Sequence, residues 1–348
     1  MPICDVPTSD VLTRDVPTQQ ALYTACYKAS SQAKTLFATA HVEPDGDTLG
    51  SMLGLRHALL QHFPQIERFD CVIAGHLPEV YTFLPGMEHI INVETSTALL
   101  PTYDVAISVD CGAESRLGPA LPYFKSAPIR MNFDHHVSNE SFGTVNVLEF
   151  EAASSTQVIA NFLNHVGVAI SSEAATCLYV GLVTDTGGFR HSSTNPMAFE
   201  LAAQLQRCGC DVSAVYRTIF ESTPRCQSLL HAEAIRQSTV YANGLVVGTH
   251  VSQALLNQLG AKEEHVEGLI DTLRQTQGCE LTAVVRETKS GGSKISLRSN
   301  SDTYNVSDFL ATHYGGGGHK RAAGATVNAP LEATYTELIA KLNAWVVG

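Results

Sequence analysis

The residues best suited to chemistry are acidic and imidazole side chains that fall just after short apolar runs. The first group is His41-Val-Glu-Pro-Asp45-Gly-Asp47, in a segment opened by Pro44 and Gly46. Such a loop can aim the imidazole and both aspartates at one point. Carboxylate oxygens suit hard divalent cations, and an imidazole among them shifts preference toward manganese, iron or zinc. An Asx-type turn capping a helix that starts near Asp47 accounts for the same residues. Asp110 ends the run Tyr103–Val109 and precedes Cys111-Gly112, where a cap or turn residue is the ordinary alternative. Asp134-His135-His136 follows Ile129–Phe133, and two adjacent histidines after an apolar strand are harder to assign to turn chemistry. Asp185 lies in Gly181-Leu-Val-Thr-Asp185-Thr-Gly-Gly188, after a helical run, where a C-terminal turn is the alternative. Cys111 reads as a small buried residue, and the sequence shows no serine or cysteine nucleophile motif.

A second kind of signal is the run Gly315 to Gly318, followed at once by His319, Lys320 and Arg321. Without Cβ atoms, glycines can take positive φ and turn successive N–H groups toward an anion. The run lies between a helix-like Val306–Tyr314 and a strand-like Ala325–Val327. That context favours a phosphate or nucleotide cradle over a flexible linker. Arg298, ending the strand Lys294–Leu297, is a second candidate phosphate contact. Lys320 and Arg321 read as a solvated face, and Arg190 and His191, shortly after Asp185, are weaker candidates.

These residues need elements to position them. Short apolar runs at Thr35–Ala40, Cys71–Ala74, Val105–Val109 and Ile129–Phe133 are separated by helical stretches such as Leu49–Leu60. The alternation predicts βαβ units and a mostly parallel sheet flanked by helices, an α/β fold. In such sheets sites form beyond the C-terminal strand ends, where His41, Asp45, Asp47, Asp110, Asp134, His135 and His136 fall. A helical zone is expected from Ser154 to Thr184. Within it, Ala153–Ser172 carries no Asp, Glu, Lys or Arg. Its polar residues, and the helical spacing of Val158, Ile159, Phe162, Leu163 and Val166, predict a buried amphipathic helix, not a membrane span.

Residues 1–18 repeat Asp-Val-Pro-Thr and read as an extended arm, with Thr18 capping the next helix. A metal-binding catalytic domain is expected over 19–195 and a helical linker over 196–237. A smaller α/β domain follows over 238–348, with strands at Val240–Val251, Leu281–Glu287, Lys294–Arg298 and Ala325–Val327 and a terminal helix at Leu331–Val346.

Composition sets the outer bounds. The chain has 348 residues, 44% hydrophobic and 16% charged, enough for two cores. A net charge of −12 argues against a grip on long duplex nucleic acid. It leaves room for a small polyanion in a local pocket. Nine cysteines without a CxxC pair point to reduced thiols and a cytoplasmic setting. The first 15 residues hold Asp5, Asp10, Arg14 and Asp15 and no apolar run, so no signal peptide is expected.

In order and spacing these residues resemble the DHH phosphoesterase superfamily. The pieces are His-x3-Asp-x-Asp, an Asp after a strand, Asp-His-His, and an Asp after a helix. Gly315-Gly-Gly-Gly318-His319, followed by Lys320-Arg321-Ala-Ala-Gly324, looks like the signature of the associated DHHA1 domain. The resemblance implies one cation held by His41, Asp45 and Asp110, and another by Asp47, Asp110, His135 and Asp185, with Asp110 bridging. It implies manganese, two Mn2+ ions in all. It makes Asp134 an orienting residue, turns His136 toward the substrate phosphate, and makes Arg298, Gly316, Gly317, Gly318 and His319 substrate contacts. Two cations about 3.5–4 Å apart lower the pKa of a bound water and offset charge growing on phosphorus. Glu43 stands where the family pattern requires no acid and is expected to face solvent.

Accessory domains separate the subgroups. The sequence leaves no room for the oligonucleotide-binding domain of RecJ-type exonucleases, and lacks the transmembrane and sensory modules of membrane-bound cyclic-dinucleotide phosphodiesterases. It also differs from type II pyrophosphatases in its glycine signature. It is most similar in layout to the stand-alone oligoribonuclease (nanoRNase) and pAp phosphatase group. The resemblance implies hydrolysis of short single-stranded RNA and of 3′-phosphoadenosine 5′-phosphate (pAp). A stand-alone cyclic di-AMP or pApA phosphodiesterase shares the motifs. A nucleotide-binding sensor without turnover would need a damaged ligand set, and all six ligand positions are intact. No membrane partner is expected, and a homodimer is admitted because dimers are common among relatives.

Overall fold

The computed structural model describes residues 18–347. The expected arm, up to residue 17, lies outside the described residues. The chain divides into two compact units, Met1–Ser222 and Thr223–Gly348.

The first unit opens with α1 (Gln19–Gln32), capped by Thr18, whose hydroxyl accepts the Ala21 N–H. Then come β1 (Thr35–Thr39), α2 (Gly46–His62), β2 (Arg68–Ile73), β3 (Ile90–Asn92), β4 (Val105–Val109), α3 (Leu121–Ser126), β5 (Ile129–Asp134) and β6 (Val145–Leu148). Four helices follow: α4 (Ser155–His165), α5 (Ser172–Asp185), α6 (Pro196–Arg207) and α7 (Val212–Phe220). The strands form one sheet in the order β3-β2-β1-β4-β5-β6, and every pairing is parallel.

Both faces of this sheet are buried, as a parallel sheet requires. Successive side chains point to opposite faces. Leu36, Ala38, Val105, Ile107, Val109, Met131 and Phe133 pack with the residues of α1, α2, α4 and α5. Phe37, Val72 and Ala106 pack on the other side with Tyr103, Leu117 and Phe124. Burying each large apolar side chain is worth about 1.5–3 kcal/mol.

The strand order decides where a site can form. The chain leaves β1 for β2 on one side and leaves β4 for β5 on the other. A crevice therefore opens beyond the C-terminal ends of β1 and β4. His41 and Asp110 follow those two ends directly.

The helical zone expected from Ser154 to Thr184 is two helices, and the buried amphipathic helix expected within Ala153–Ser172 is α4. Gly167 takes φ 72° after α4, and α5 starts anew with Ser171 as its cap. The second helix is pressed onto α2. A Cβ added to Gly50 would lie 2.4 Å from the Cys177 carbonyl oxygen, and one added to Gly54 would lie 2.8 Å from Leu178 Cδ2.

The second unit contains α8 (Arg225–Gln237), β7 (Thr239–Tyr241), β8 (Val246–Val251), α9 (Gln253–Leu259), α10 (Leu269–Leu273), β9 (Leu281–Glu287) and β10 (Ser293–Ser299). It ends with α11 (Val306–Tyr314), β11 (Gly317–His319), β12 (Ala322–Val327) and α12 (Leu331–Val347). Its sheet runs β11-β12-β10-β9-β8-β7, with β8–β9 parallel and the other pairs antiparallel. The expected strand Val240–Val251 is a hairpin, because Ala242, Asn243 and Gly244 all take positive φ. Residues of α11 and α12 pack on one face with Val246, Leu281 and Ile295, and residues of α8, α9 and α10 pack with Val247 and Val284 on the other. Among the described residues no helix is long and apolar enough to cross a membrane.

Candidate metal and phosphate site

Three strand ends and two helix ends supply the acidic cluster. The loop after β1 delivers His41, and α2 begins at once, so Asp45 is its N-cap and Asp47 lies in its first turn. Asp45 Oδ1 accepts the Thr48 N–H at 3.0 Å, while Oδ2 stands 4.0 Å from His41 Nε2. The capping reading of this segment holds, and it engages one oxygen while the other faces His41. Asp110 follows β4 at φ 52°, a left-handed conformation that L-residues rarely adopt outside functional or strained positions. Its N–H is held by the Phe133 carbonyl at 3.0 Å. Asp134 ends β5, and Asp185 is the last residue of α5.

Six side chains converge as two groups whose donor atoms lie within 4.8 Å of one another: His41, Asp45 and Asp110, and Asp47, His135 and Asp185. Asp110 faces both. Its Oδ2 is 3.6 Å from His41 Nε2 and its Oδ1 is 3.9 Å from His135 Nε2. His135 Nε2 is also 3.4 Å from Asp185 Oδ2.

The imidazoles are aimed by the backbone. His41 Nδ1 lies 2.8 Å from the Val42 carbonyl oxygen and His135 Nδ1 lies 3.1 Å from that of Ala152. A carbonyl can only accept, so Nδ1 carries the proton in both rings. In the neutral tautomer that leaves each Nε2 with its lone pair, His135 Nε2 facing Asp185 and Asp110, and His41 Nε2 lying 3.0 Å from the Thr48 hydroxyl oxygen and 3.6 Å from Asp110 Oδ2. His136 differs. Its Nδ1 donates to Asp134 Oδ1 at 2.8 Å, so that nitrogen is committed although it also falls near Asp110 and His135.

Several residues that the sequence reading did not single out complete the site. The Thr48 hydroxyl donates to Asp110 Oδ2 at 2.9 Å, and the Ser155 hydroxyl donates to Asp110 Oδ1 at 3.0 Å. The Ser155 and Thr156 N–H groups donate to the two oxygens of Asp47, at 2.6 and 2.9 Å. These are first-turn donors of α4 with no partner inside the helix, so a buried carboxylate there satisfies them. The Ser154-Ser155-Thr156 run ahead of an apolar helix was the available sequence signal. Asn139 donates to Asp134 Oδ2 at 2.6 Å.

The electrostatics show what the cluster needs. Burial, reinforced by Asp110, Asp185 and Asp45, pushes the Asp47 carboxyl well above the ordinary range. Burial raises Asp185 to about 6, helped by Asp110 and Asp45 and opposed by His135. Burial also works to raise Asp110, but His41, His136 and His135 hold it below its ordinary value. Asp47 and Asp110 are 1% and 3% exposed, and among the described residues no Lys or Arg pairs with either. Buried carboxylates without compensating cations are unfavourable. A donor set of aspartate oxygens and imidazole nitrogens therefore fits divalent cations on its own chemistry. The Cys111 thiol, pushed up to about 12 by burial, is no nucleophile.

The second unit brings two predicted phosphate contacts into one row. Arg298 on β10 stands opposite Ala322, and Ala322 stands opposite His319 on β11. Opposed residues share a face, so Arg298 and His319 flank Ala322 on the same side. The glycine run is only partly a loop. Gly315 caps α11 at φ 63°, the Gly316 N–H goes to the Leu310 carbonyl, and Gly317 and Gly318 pair with Gly324 and Ala323. Lys320 and Arg321 are exposed, and Arg321 pairs with Asp302 at 2.7 Å. Arg190 and His191 are exposed and bend back on their own loop, to the Gly187 and Asp185 carbonyls.

A doubly flanked parallel sheet with aspartates and histidines gathered at its switch point, followed in the chain by a smaller mixed-sheet unit, is the layout of a metal-binding α/β protein. The chain matches the DHH family, N-terminal domain, over residues 35–182, and the DHHA1 domain over residues 247–348. It belongs to the DHH/DHHA1 superfamily. It is similar to a bifunctional oligoribonuclease and PAP phosphatase NrnA of Thermus thermophilus, 27% identical over 87% of this chain and 88% of that protein. A probable protein of the same description from Streptococcus mutans is 25% identical over 87% of this chain and 94% of that one. The crystal structure of an exopolyphosphatase-related protein from Bacteroides fragilis shares the fold, with a TM-score of 0.86 over 97% of this chain and 100% of that chain at 24% identity.

Proposed function

We propose that this protein is a manganese-dependent phosphoesterase that hydrolyses short oligoribonucleotides and 3′-phosphoadenosine 5′-phosphate. The observation that carries the reading is Asp110, whose two oxygens are turned toward two separate ligand groups. His41, Asp45 and Asp110 would hold one Mn2+, and Asp47, Asp110, His135 and Asp185 the other. Such a pair, when bound, supplies a water of lowered pKa and offsets charge at phosphorus.

The chain's own residues do the remaining work. The Thr48 and Ser155 hydroxyls fix the rotation of Asp110 so that each oxygen keeps to its own group. The first turn of α4 fixes Asp47. His136, with Nδ1 committed to Asp134, offers its Nε2–H as a donor to a phosphate oxygen. Arg298 and His319, in one row, would bind a second phosphate or the nucleotide. The relatives' descriptions supply the substrate class, and the net charge of −12 favours small nucleotides over long strands.

The test is an assay of the purified protein with Mn2+ against labelled di- to pentaribonucleotides and pAp. Turnover that requires Mn2+ and vanishes in Asp110→Ala is expected. No hydrolysis of any of these substrates would overturn the assignment.

A further inference from the structure

Asn139 lies in the loop after β5, half-buried, and all four of its side-chain hydrogen-bonding positions are used. Nδ2 donates to Asp134 Oδ2 at 2.6 Å and to the Cys111 carbonyl at 3.1 Å. Oδ1 accepts from the Asn132 side chain at 3.1 Å and from the Ser141 N–H at 2.7 Å. The sense of the amide is forced. A carboxylate and a carbonyl can only accept, and a backbone N–H can only donate, so the flipped amide would lose three of the four bonds.

The partners belong to two strand ends. Cys111 is the neighbour of Asp110 after β4, and Asp134 closes β5. Asn139 therefore ties the backbone that carries the left-handed Asp110 to the carboxylate that holds His136. Asp134 is 0% exposed and accepts from three donors: the His135 N–H at 2.9 Å, His136 Nδ1 at 2.8 Å and Asn139 Nδ2. Of the three, only the Asn139 donor comes from outside the Asp134-His135-His136 tripeptide. Without it, the carboxylate would be free to rotate about its own side chain and carry the His136 ring with it.

We propose that Asn139 is a positioning residue for phosphoester hydrolysis. It locks the Asp134 carboxylate, and through Asp134 it sets the direction of His136 relative to Asp110. The inference rests on the reading of His136 as a phosphate donor given above. Asn139 touches neither the acidic ligand set nor the reacting atoms, and its effect passes through Asp134.

The test compares Asn139→Ala, Asn139→Asp and Asn132→Ala with the unaltered chain. Asn139→Asp keeps the shape but sets a carboxylate against Asp134. Asn132→Ala removes a bond of Asn139 while leaving the Asp134 contact. Both Asn139 variants are expected to lower kcat about 10–100-fold, the usual effect of removing an outer hydrogen-bond partner, with KM and Mn2+ stoichiometry unchanged. Asn132→Ala is expected to keep kcat within about twofold once it is shown folded by circular dichroism.

A second readout needs no activity. In the metal-free protein the His136 Nδ1–H proton, protected by Asp134, should give a downfield NMR resonance. It should broaden or vanish in Asn139→Ala and persist in Asn132→Ala. Unchanged kcat and an unchanged resonance in Asn139→Ala would overturn the proposal, as would a parallel loss of kcat and fold in all three variants. If the unaltered protein hydrolyses none of the substrates, the functional reading fails instead, and the resonance alone judges Asn139.

Discussion

Asp134 and His136 are joined by a 2.8 Å hydrogen bond from Nδ1 to Oδ1, made inside a carboxylate that water does not reach. That bond raises the His136 pKa to about 9, with burial opposing and the Asp134 and Asp110 charges assisting. In the metal-free protein His136 should therefore stay protonated through neutral pH. Because the folded-state value is raised, the linked stability is fully present below the ordinary histidine pKa of about 6.5. It is lost as pH rises through about 9. Asp134→Asn should move the His136 midpoint down toward the ordinary value in an NMR titration. The stability gap between the two proteins should narrow across the same window. A native midpoint near 6.5 would contradict the assignment.

If Asp110 serves both proposed cations, with one oxygen near His41 and the other near His135, its loss should differ in kind from the loss of Asp45. Calorimetric titration with Mn2+ should count two sites in the native chain and one in Asp45→Ala. Asp110→Asn should weaken both. Activity should fall by more than the 10–100-fold typical of an outer partner. Asp110→Asn with normal stoichiometry would show that the two oxygens do not serve two ions.

Most of this arrangement was legible in the sequence, because parallel strands place polar residues in the loops that follow them. His41, Asp110 and the Asp134-His135-His136 tripeptide lie just there, and the strand order then brings β1, β4 and β5 side by side. Thr48, Ser155, Thr156 and Asn139 were not legible as site residues. Their roles come from contacts across 45 to 109 positions for Ser155 and Thr156, or from a short network whose sense appears only with coordinates. The break between α4 and α5 and the hairpin at β7–β8 were missed for a local reason. Each hangs on residues at positive φ inside an apolar stretch, where hydrophobic periodicity carries no signal. Asp45 shows the opposite case, since the cap expected from its sequence position is present and leaves the second oxygen facing His41.

Gly181 is the least conspicuous member of the site. It sits inside α5, where a Cβ would lie 2.3 Å from Thr156 Cγ2 and 2.7 Å from Asp47 Oδ1. Alanine is the better helix former, yet here it would push the first turn of α4 away from Asp47. Gly181→Ala should destabilise the protein by ~1–3 kcal/mol, the range for overpacking a close contact. It should also weaken the cation site proposed on Asp47, His135 and Asp185 more than the one proposed on His41, Asp45 and Asp110. Thermal unfolding and Mn2+ titration together check this. A Tm equal to that of the native chain would mean the contact relaxes freely.

Removing the cations should unmask the repulsion among the buried carboxylates. Asp47 and Asp185 are raised by burial and by Asp110, and the amides on Asp47 and the imidazole beside Asp185 offset this only in part, so in the absence of cations protonation is favoured. Chelation should therefore lower the Tm of the unit Met1–Ser222, and restoring Mn2+ should raise it again. At a free concentration of about 100 times Kd, one site contributes ~2.7 kcal/mol. The effect must depend on pH in a defined direction. Protons and cations compete for the same oxygens, so Mn2+ stabilisation should be full above the raised Asp185 value of about 6 and fall away as pH drops through it. Differential scanning calorimetry at several pH values, with and without Mn2+, reads both trends. A Tm that ignores chelation at pH 8 would mean that the carboxylates do not hold a cation there.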